Sequence, residues 1–215
     1  MIRRTATARG EAIELLRTAR LVLQAPRIEL APAVADYLRR NRAHFAAWDP
    51  PNSPQVDGAA FQRSAQADAA RAFAEGRAYR YWLSPHDDPR RVIGSVHFSN
   101  VARGALHGAA LGYGLDIEAV GAGLMTEALT EAIATVFSPR INLHRIQASW
   151  LPHNLRSGAV LQRLGFHDEG LARDYLFIDG RWRDHRIFAL LNPAFVAPAE
   201  WPQWVAARER DGPPR

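Results

Sequence analysis

The 215 residues carry a formal net charge of +5, and the 47% apolar and 23% charged fractions are typical of an ordinary soluble globular protein of one domain. Cysteine is absent, which excludes a disulfide framework and thiolate metal sites and agrees with a cytoplasmic location. No run of about 18 uncharged apolar residues predicts a membrane span, and residues 1–20 lack the apolar segment of a secretory signal.

All 27 basic residues are arginines, and their distribution decides how the positive charge is interpreted. A pI of 10.3 is compatible with binding to RNA or to phosphate groups. The arginines are scattered, however, and no more than two are adjacent in the sequence. The charge therefore predicts a modest positive field, and a ribosome- or RNA-associated factor without enzymatic activity stays open as an alternative.

The first half of the chain predicts two helices between strands. Residues 1–19 are interpreted as a polar, partly helical extension that precedes the folded domain. Apolar residues recur at helical or alternating spacing, and Pro26, the proline-rich segment 49–54 and Gly76 separate the elements. The predicted elements are a strand within 20–27, helices at 32–48 and 59–75, and strands at 79–83, 92–98 and 105–117.

The second half alternates strands with helices and ends in a hairpin, whose turn is Asp179-Gly180. This order predicts an α/β (α+β) chain with a mixed sheet, in which the crossover helices lie in the second half. One domain is expected over residues 20–195, followed by a tail at 196–215. The predicted elements are a helix at 126–137, a strand at 141–150, a helix from 152 to about 163, and strands at 171–178 and 182–190.

The first candidate site is the turn of residues 118–125, which joins a strand to a helix. It contains no Ser, Thr, Asp or Asn to cap that helix, so the first backbone N–H groups of the helix stay free. The small residues Gly121, Ala122 and Gly123 would let a bulky anion approach those N–H groups, and the helix dipole favours negative charge there. A pyrophosphate would fit, although a plain tight turn with glycines has the same pattern.

The second candidate site begins at Asn154, which occupies the position of a helix N-cap. Ser157 lies three residues further on, near the same end of the helix. By itself this pattern is equally typical of an ordinary cap followed by a small surface residue.

Taken together, these segments resemble the GNAT acetyltransferases, and more narrowly the RimJ-type ribosomal-protein alanine N-acetyltransferases. The similarity is dense from about residue 92 to residue 191 and weaker from 20 to 50. It is specific because many short matches keep their order and spacing. The matching segments are Arg42-x-x-Phe45-x-x-Trp48, Phe98-Ser99-Asn100-Val101, Leu111-Gly112-Tyr113, Gly123-Leu124-Met125, Glu127-Ala128-Leu129, His144-Arg145-Ile146, Pro152-His153-Asn154, Arg156-Ser157-Gly158, Leu164-Gly165-Phe166, Asp174-Tyr175-Leu176, Ile178-Asp179-Gly180 and Trp182-Arg183-Asp184-His185.

This resemblance implies a GNAT fold, with a mixed, mostly antiparallel central sheet flanked by helices, and acetyl-CoA as the co-substrate. The strand before the turn would splay from its neighbour and bind pantetheine, and the N–H groups of the turn would hold the pyrophosphate. Asn154 would reach the pantetheine arm, and Ser157 would protonate the departing thiolate, because Leu161 stands where many relatives have a tyrosine. The expected cofactor contacts are Leu115, Ile117, Gly121, Ala122, Gly123, Leu124, Met125, Thr126, Asn154 and Ser157.

One position departs from the family pattern. The family has Gln or Arg three residues before the first glycine of the turn, whereas this chain has Glu118. A carboxylate beside a pyrophosphate repels it, so cofactor binding is expected to be weaker unless Glu118 points away.

The acceptor is expected to be a primary amine that attacks the thioester directly in a ternary complex, since no cysteine can form a thiol intermediate. A protein N-terminus suits a site with a weak base, because an α-amino group has a pKa near 7.7–8.0 and is partly neutral already. The candidate residues on the final hairpin are Asp174 as a base and Tyr175, Asp184 and His185 as acceptor contacts. No histidine and carboxylate spacing suggests a metal.

The N-terminal alanine of a ribosomal protein is the leading acceptor, and this function would bring the enzyme to the ribosome. A small-molecule amine is the alternative within the same enzyme class.

Overall fold

The computed structural model describes residues 13–201, which form eight strands and five α-helices. The predicted extension and tail lie largely outside these residues. The strands are β1 (Leu15–Arg17), β2 (Leu21–Gln24), β3 (Tyr79–Pro85), β4 (Gly94–Ala102), β5 (Gly108–Leu115), β6 (Arg145–Trp150), β7 (His167–Ile178) and β8 (Arg181–Leu191). The helices are α1 (Ala31–Arg40), α2 (Arg42–Ala46), α3 (Ala59–Ala74), α4 (Leu124–Phe137) and α5 (Leu155–Arg163).

All eight strands form one sheet in the order β1-β2-β3-β4-β5-β6-β8-β7. Every neighbouring pair is antiparallel except β5 and β6, which run parallel and are connected through α4. A parallel pair requires a crossover connection, and a helix is the usual one. The predicted mixed, mostly antiparallel sheet flanked by helices is therefore confirmed.

The two faces of the sheet carry separate apolar clusters. Tyr81 and Leu83 on β3 belong to the larger cluster, which also contains the buried face of α4 and Leu161 of α5. Trp82, which lies between them in sequence, belongs to a smaller cluster with Val34 and Tyr37 of α1. Successive side chains of a strand point to opposite faces, so one strand supplies both clusters. The helices α1 and α3 consequently cover one face, and α4 and α5 cover the other.

Several predicted boundaries were wrong, and the reasons are local. Leu15–Arg17, expected in a partly helical lead-in, instead pairs with β2 as the edge strand β1. The helix predicted at 32–48 is divided at Asn41, whose buried side chain donates to the Tyr37 carbonyl and also accepts a bond from outside the helix. The strand predicted at 141–150 begins at residue 145, since Asn142 has a φ of 54° and interrupts the extended backbone.

No helix among residues 13–201 is both long and apolar enough to cross a membrane.

Candidate active site

A gap opens in the centre of the sheet, between β5 and β6. Their parallel pairing runs from Gly108 opposite Arg145 to Leu111 opposite Ala148 and then stops. Residues 112–115 continue β5 along β4, and residues 149–150 continue β6 along β8. The inner edges of these two strand ends are therefore not paired with each other, which confirms the splay that the sequence resemblance implied.

The turn after β5 leads directly into the uncapped N-terminus of α4. Gly121 and Gly123 have φ values of 89° and 76°, in the left-handed region that favours glycine. Gly123 is the N-cap residue, and no side chain bonds to the helix end from that position. The first backbone N–H groups of α4 therefore lack intrahelical acceptors and face outward beside exposed small residues, an arrangement suited to an anion.

Arg20, which precedes β2, holds this turn in place. Its Nη1 donates to the carbonyl oxygen of Ala122 at 2.9 Å, and its Nε donates to Glu127 at 2.7 Å. Burial alone would raise the pKa of Glu127, but hydrogen bonds from Thr18 and Arg20 keep that pKa below its ordinary value. A guanidinium thus lies against the turn that was expected to bind the pyrophosphate.

Glu118, the residue that departs from the family pattern, is engaged elsewhere. Its carboxylate accepts a hydrogen bond from Arg91 at 2.7 Å, and the side chain is 72% exposed. The ion pair offsets the negative charge that was expected to repel the cofactor.

The start of the turn is anchored to the C-terminal end of α1. The buried Asp116 carboxylate accepts bonds from Arg40 at 2.8 Å and from the Glu118 N–H at 3.2 Å. Burial alone would raise the pKa of Asp116, but these bonds outweigh it and leave the pKa below its ordinary value. Asn41 accepts the N–H of Ile117 at 3.0 Å, so this N–H of a predicted cofactor contact is already satisfied within the protein.

Asn154 and Ser157 lie together at the beginning of α5. Asn154 is the N-cap, as predicted, and its Oδ1 accepts the N–H of Ser157 at 3.2 Å. The Ser157 hydroxyl lies 2.8 Å from the hydroxyl of Tyr113, which also donates to the Ser157 carbonyl at 3.0 Å. Burial raises the pKa of Tyr113 to about 12, so its hydroxyl keeps its proton at neutral pH.

A close contact between Gly158 and Trp150 brings α5 against the end of β6. A Cβ atom at Gly158 would lie 2.6 Å from the indole ring, a separation that no ordinary side chain can accept. Glycine at this position lets the helix approach the strand, and it places Ser157 beside the gap.

A cleft of about 700 Å³ extends from this gap under the helices α1, α2 and α3. At one end its walls include Tyr113, Asn154 and Ser157. Its floor is formed by residues of β3, β4 and β5, and aromatic residues of the α1–α2 region cover it. Residues on the helix side and floor of the cleft include Tyr37, Asp49, Arg80, Trp82, Ser95, His97, Gly112 and Gly114.

The four candidate residues of the hairpin form two contacting pairs, and of the four His185 alone lines the cleft. His185 is buried and lines the cleft, and burial lowers its pKa. Tyr175 is exposed and packs against the His185 ring at 5.4 Å between centroids. Asp184 lines a shallow depression beside the cleft, together with His153. Asp174 is exposed in an irregular part of β7 with a φ of 47°, and its N–H donates to Asp184.

Sequence reasoning missed Tyr113, Arg20 and the floor of the cleft. Tyr113 lies within a matching segment, but nothing local indicates that it reaches Ser157, 44 residues later. Arg20 is separated from Glu127 by 107 residues, so only the fold shows the contact. Within residues 13–201, no group of three or more His, Asp or Glu side chains could hold a metal ion.

The arrangement provides the parts needed to transfer an acyl group. It combines an uncapped helix N-terminus for an anion, a free strand edge for an extended ligand, and a serine–tyrosine pair of hydroxyls at the end of a cleft. Such a pair can deliver a proton to a leaving group at the point where the strand edge meets the cleft.

Comparisons with known proteins agree with this geometry. Residues 20–167 match the acetyltransferase (GNAT) domain family. The chain is 39% identical over 178 residues to the [ribosomal protein uS5]-alanine N-acetyltransferase of Escherichia coli K12, a match covering 83% of this chain and 91% of that protein.

Two solved structures have the same fold. The ribosomal-protein-S5-alanine acetyltransferase of Vibrio fischeri superposes with a TM-score of 0.82 at 30% identity, covering 85% of this chain and 99% of that one. The structure of Mycobacterium smegmatis RimJ in complex with CoA-disulfide gives a TM-score of 0.77 at 27% identity, covering 90% and 94%.

Proposed function

Because this chain belongs to the GNAT acetyltransferase family and is an acetyl-CoA-dependent N-acetyltransferase, we propose that its acceptor is the N-terminal alanine of a ribosomal protein. The observation that carries the proposal is the 39% identity to an enzyme with that acceptor, over 83% of this chain and 91% of that enzyme. The open cleft, which extends from the strand gap under three helices, leaves room for more than one residue of an acceptor.

On the donor side, we assign acetyl-CoA to the gap and the turn. The free N–H groups at residues 121–126 would hold the pyrophosphate, with Arg20 supporting the turn. The pantetheine arm would extend along the inner edge of β5 near Leu115 and contact Asn154 through the side-chain NH₂, since the Oδ1 of Asn154 caps α5. Leu124 and Met125 complete the start of the helix.

The transfer then needs one attack and the proton movements that accompany it. The neutral amine attacks the thioester carbonyl, the new C–N bond forms, and the C–S bond breaks. Ser157 gives its proton to the departing thiolate and recovers one from Tyr113, which is protonated at neutral pH because burial raises its pKa to about 12 and which regains its own proton from solvent. The amine loses its extra proton to solvent or to the hairpin.

On the acceptor side, we assign the hairpin to the incoming amine. His185 faces the cleft and, with its Nδ1 near the Arg183 carbonyl, would present Nε2 to the acceptor. Asp174 and Asp184 supply negative charge for an ammonium, and Tyr175 supports the His185 ring. Little more than positioning is required, because an α-amine is partly neutral near pH 7.

A cytoplasmic enzyme that meets its acceptor on or near the ribosome fits this function. The net charge of +5 would favour approach to the negatively charged ribosomal surface. Any longer association with the ribosome would depend on the same charge.

The test is acetyl transfer to alanine-initiated peptides, compared with a panel of small amines, together with calorimetric titration of acetyl-CoA. Peptides should be acetylated with higher kcat/KM than the small amines. A clear preference for a small amine would overturn the proposed acceptor and leave the acetyltransferase assignment intact.

A further inference from the structure

Arg80 is a cation in the floor of the cleft without an anionic partner. It lies on β3, directly opposite His97 of β4, which in turn lies opposite Gly112 of β5. Its guanidinium sits over the ring of Trp82, 5.3 Å from the centroid. Across residues 13–201, no carboxylate forms an ion pair with this guanidinium, although many other arginines of the chain have such partners.

The two groups beside Arg80 that could carry charge, His97 and Tyr37, are uncharged at neutral pH, and the nearby carboxylates do not pair with it. Burial, and secondarily Arg80 itself, lowers the pKa of His97 to about 3, so the imidazole is neutral. Burial likewise raises the pKa of Tyr37 well above its usual range, which keeps the phenol protonated. Asp49 lines the same cleft, and burial raises its pKa to about 6, so its carboxylate is largely ionised at neutral pH but forms no ion pair with Arg80. Asp116 is bound to Arg40. Both carboxylates act on Tyr37 rather than pairing with Arg80.

An uncompensated cation in such a place is unfavourable for folding alone. Burial lowers the pKa of Arg80, which shows that the surroundings disfavour its charged form. A ligand that brings a negative charge would remove this cost when it binds.

The cofactor phosphates do not fit this position. Their proposed site is the turn of residues 121–126, which does not belong to the described lining of the cleft. A doubly charged phosphate group usually needs several donors, whereas Arg80 is the one arginine among the described cleft residues. A single guanidinium fork matches a carboxylate instead.

We propose that Arg80 binds a carboxylate of the acceptor and thereby selects acceptors that carry one at a defined distance from the reacting amine. For a peptide, the carboxylate is the side chain of an acidic residue near the N-terminus. For a small acceptor, it is a carboxylate held at a comparable distance from the amine, as in an ω-amino acid. The peptide form of this inference rests on the proposed function, whereas the carboxylate site does not.

The strand spacing gives the distance. Arg80 lies on β3, two strands away from β5 at the gap, which corresponds to roughly 10 Å. An extended peptide advances about 3.3 Å per residue, so the acidic residue belongs a few positions after the acetylated one.

The experiment scans one glutamate through the second to the fifth residue of an alanine-initiated peptide and compares each peptide with its glutamine counterpart. The wild-type enzyme should show a Glu/Gln ratio in kcat/KM of about tenfold or more at one position. Arg80→Gln should bring that ratio close to one. The matched control is Arg77→Gln, which removes an exposed arginine just before β3 and should leave the ratio unchanged.

Binding of the same peptide pairs in the presence of CoA, measured by calorimetry, gives the comparison without turnover. A ratio near one at every position in the wild-type enzyme, or a preference that survives in Arg80→Gln, would overturn the inference.

ω-Amino acids of increasing chain length and the matching amines that lack the carboxylate form the second arm. A preference for the amino acids that depends on Arg80, without peptide acetylation, would support the carboxylate site and contradict the proposed protein acceptor. Peptide acetylation without any dependence on Arg80 would support the proposed protein acceptor and contradict the carboxylate site.

Discussion

The donor side and the acceptor side of the site are built in different ways. The donor side consists of the turn at 118–125 and the start of α5, where backbone groups and short-range contacts such as Asn154 to Ser157 make the site. The acceptor side is a cleft lined by residues of α1, α2, α3 and the start of α5, of strands β3 to β6 and of the final hairpin. The turn and the cap of the donor side therefore follow from local sequence, although Arg20 and Tyr113 reach them from elsewhere in the chain. The acceptor side depends throughout on how distant elements pack.

The largest effect is expected from removing the Ser157 hydroxyl, which lies where the donor side meets the cleft. Ser157→Ala removes the hydroxyl that we assign to protonating the thiolate, and kcat should fall about 100-fold or more. Calorimetric binding of acetyl-CoA should change little, because the backbone donors of the turn remain. Ser64→Ala, on the exposed face of α3, is the control. A variant with nearly full kcat would remove Ser157 from the mechanism.

The second effect concerns the anchor between the two sides. Asp116→Asn should lower the free energy of unfolding by about 2 kcal/mol at pH 7, because it leaves a partly buried Arg40 without its buried partner. The folded pKa of Asp116 is depressed, so its contribution is complete above the unfolded pKa of about 3.9 and is lost as the pH falls through the folded pKa.

Denaturant unfolding of the two proteins from pH 7 to pH 3 measures this difference, which should shrink only below about pH 4. Asp36→Asn removes the other carboxylate that pairs with Arg40, and it should cost far less because that pair is exposed. Equal losses in the two variants would contradict the role given to burial.

The third effect tests whether the hydroxyl pair works as a unit. Tyr113→Phe should lower kcat about tenfold by removing the proton supply and orientation of Ser157. In Ser157→Ala the same change should add almost nothing, because the partner hydroxyl is already absent. Tyr79→Phe, in the core away from the cleft, serves as the matched control. Fully additive losses would show that Tyr113 acts independently.

The smallest effect is expected at the turn. Arg20→Ala should weaken acetyl-CoA binding by about threefold, since the guanidinium is half-exposed and the backbone donors persist. The difference in acetyl-CoA affinity between Arg20→Ala and the wild-type enzyme should be smaller at high salt than at low salt, because salt screens exposed charges. Arg17→Ala removes an exposed arginine of β1 with the same change of charge. If both variants bind equally well, the contribution of Arg20 is only long-range charge.

Sequence predicted the parts of the molecule whose determinants are close together in the chain. Gly121 and Gly123 are needed where the backbone turns left-handed, and Asn154 is recognisable as a cap because its partner lies three residues on. Arg20, Tyr113 and Arg80 gave no such signal. Their partners lie on other strands and helices, and only the sheet order brings them together. The strand at Leu15–Arg17 was missed for the same reason, since it depends on pairing with β2.

The bonds from α1 to the start of the turn have a consequence for local unfolding. The amides of Ile117 and Glu118 donate to side chains of Asn41 and Asp116, and Asp116 is held by Arg40. These amides can exchange with solvent only when that junction opens, so they should exchange together with the last turn of α1 rather than with the start of α4. Acetyl-CoA bound at the turn should stabilise this junction. Hydrogen exchange measured by mass spectrometry should therefore be slower in the last turn of α1, a helix of the acceptor side, when acetyl-CoA is present.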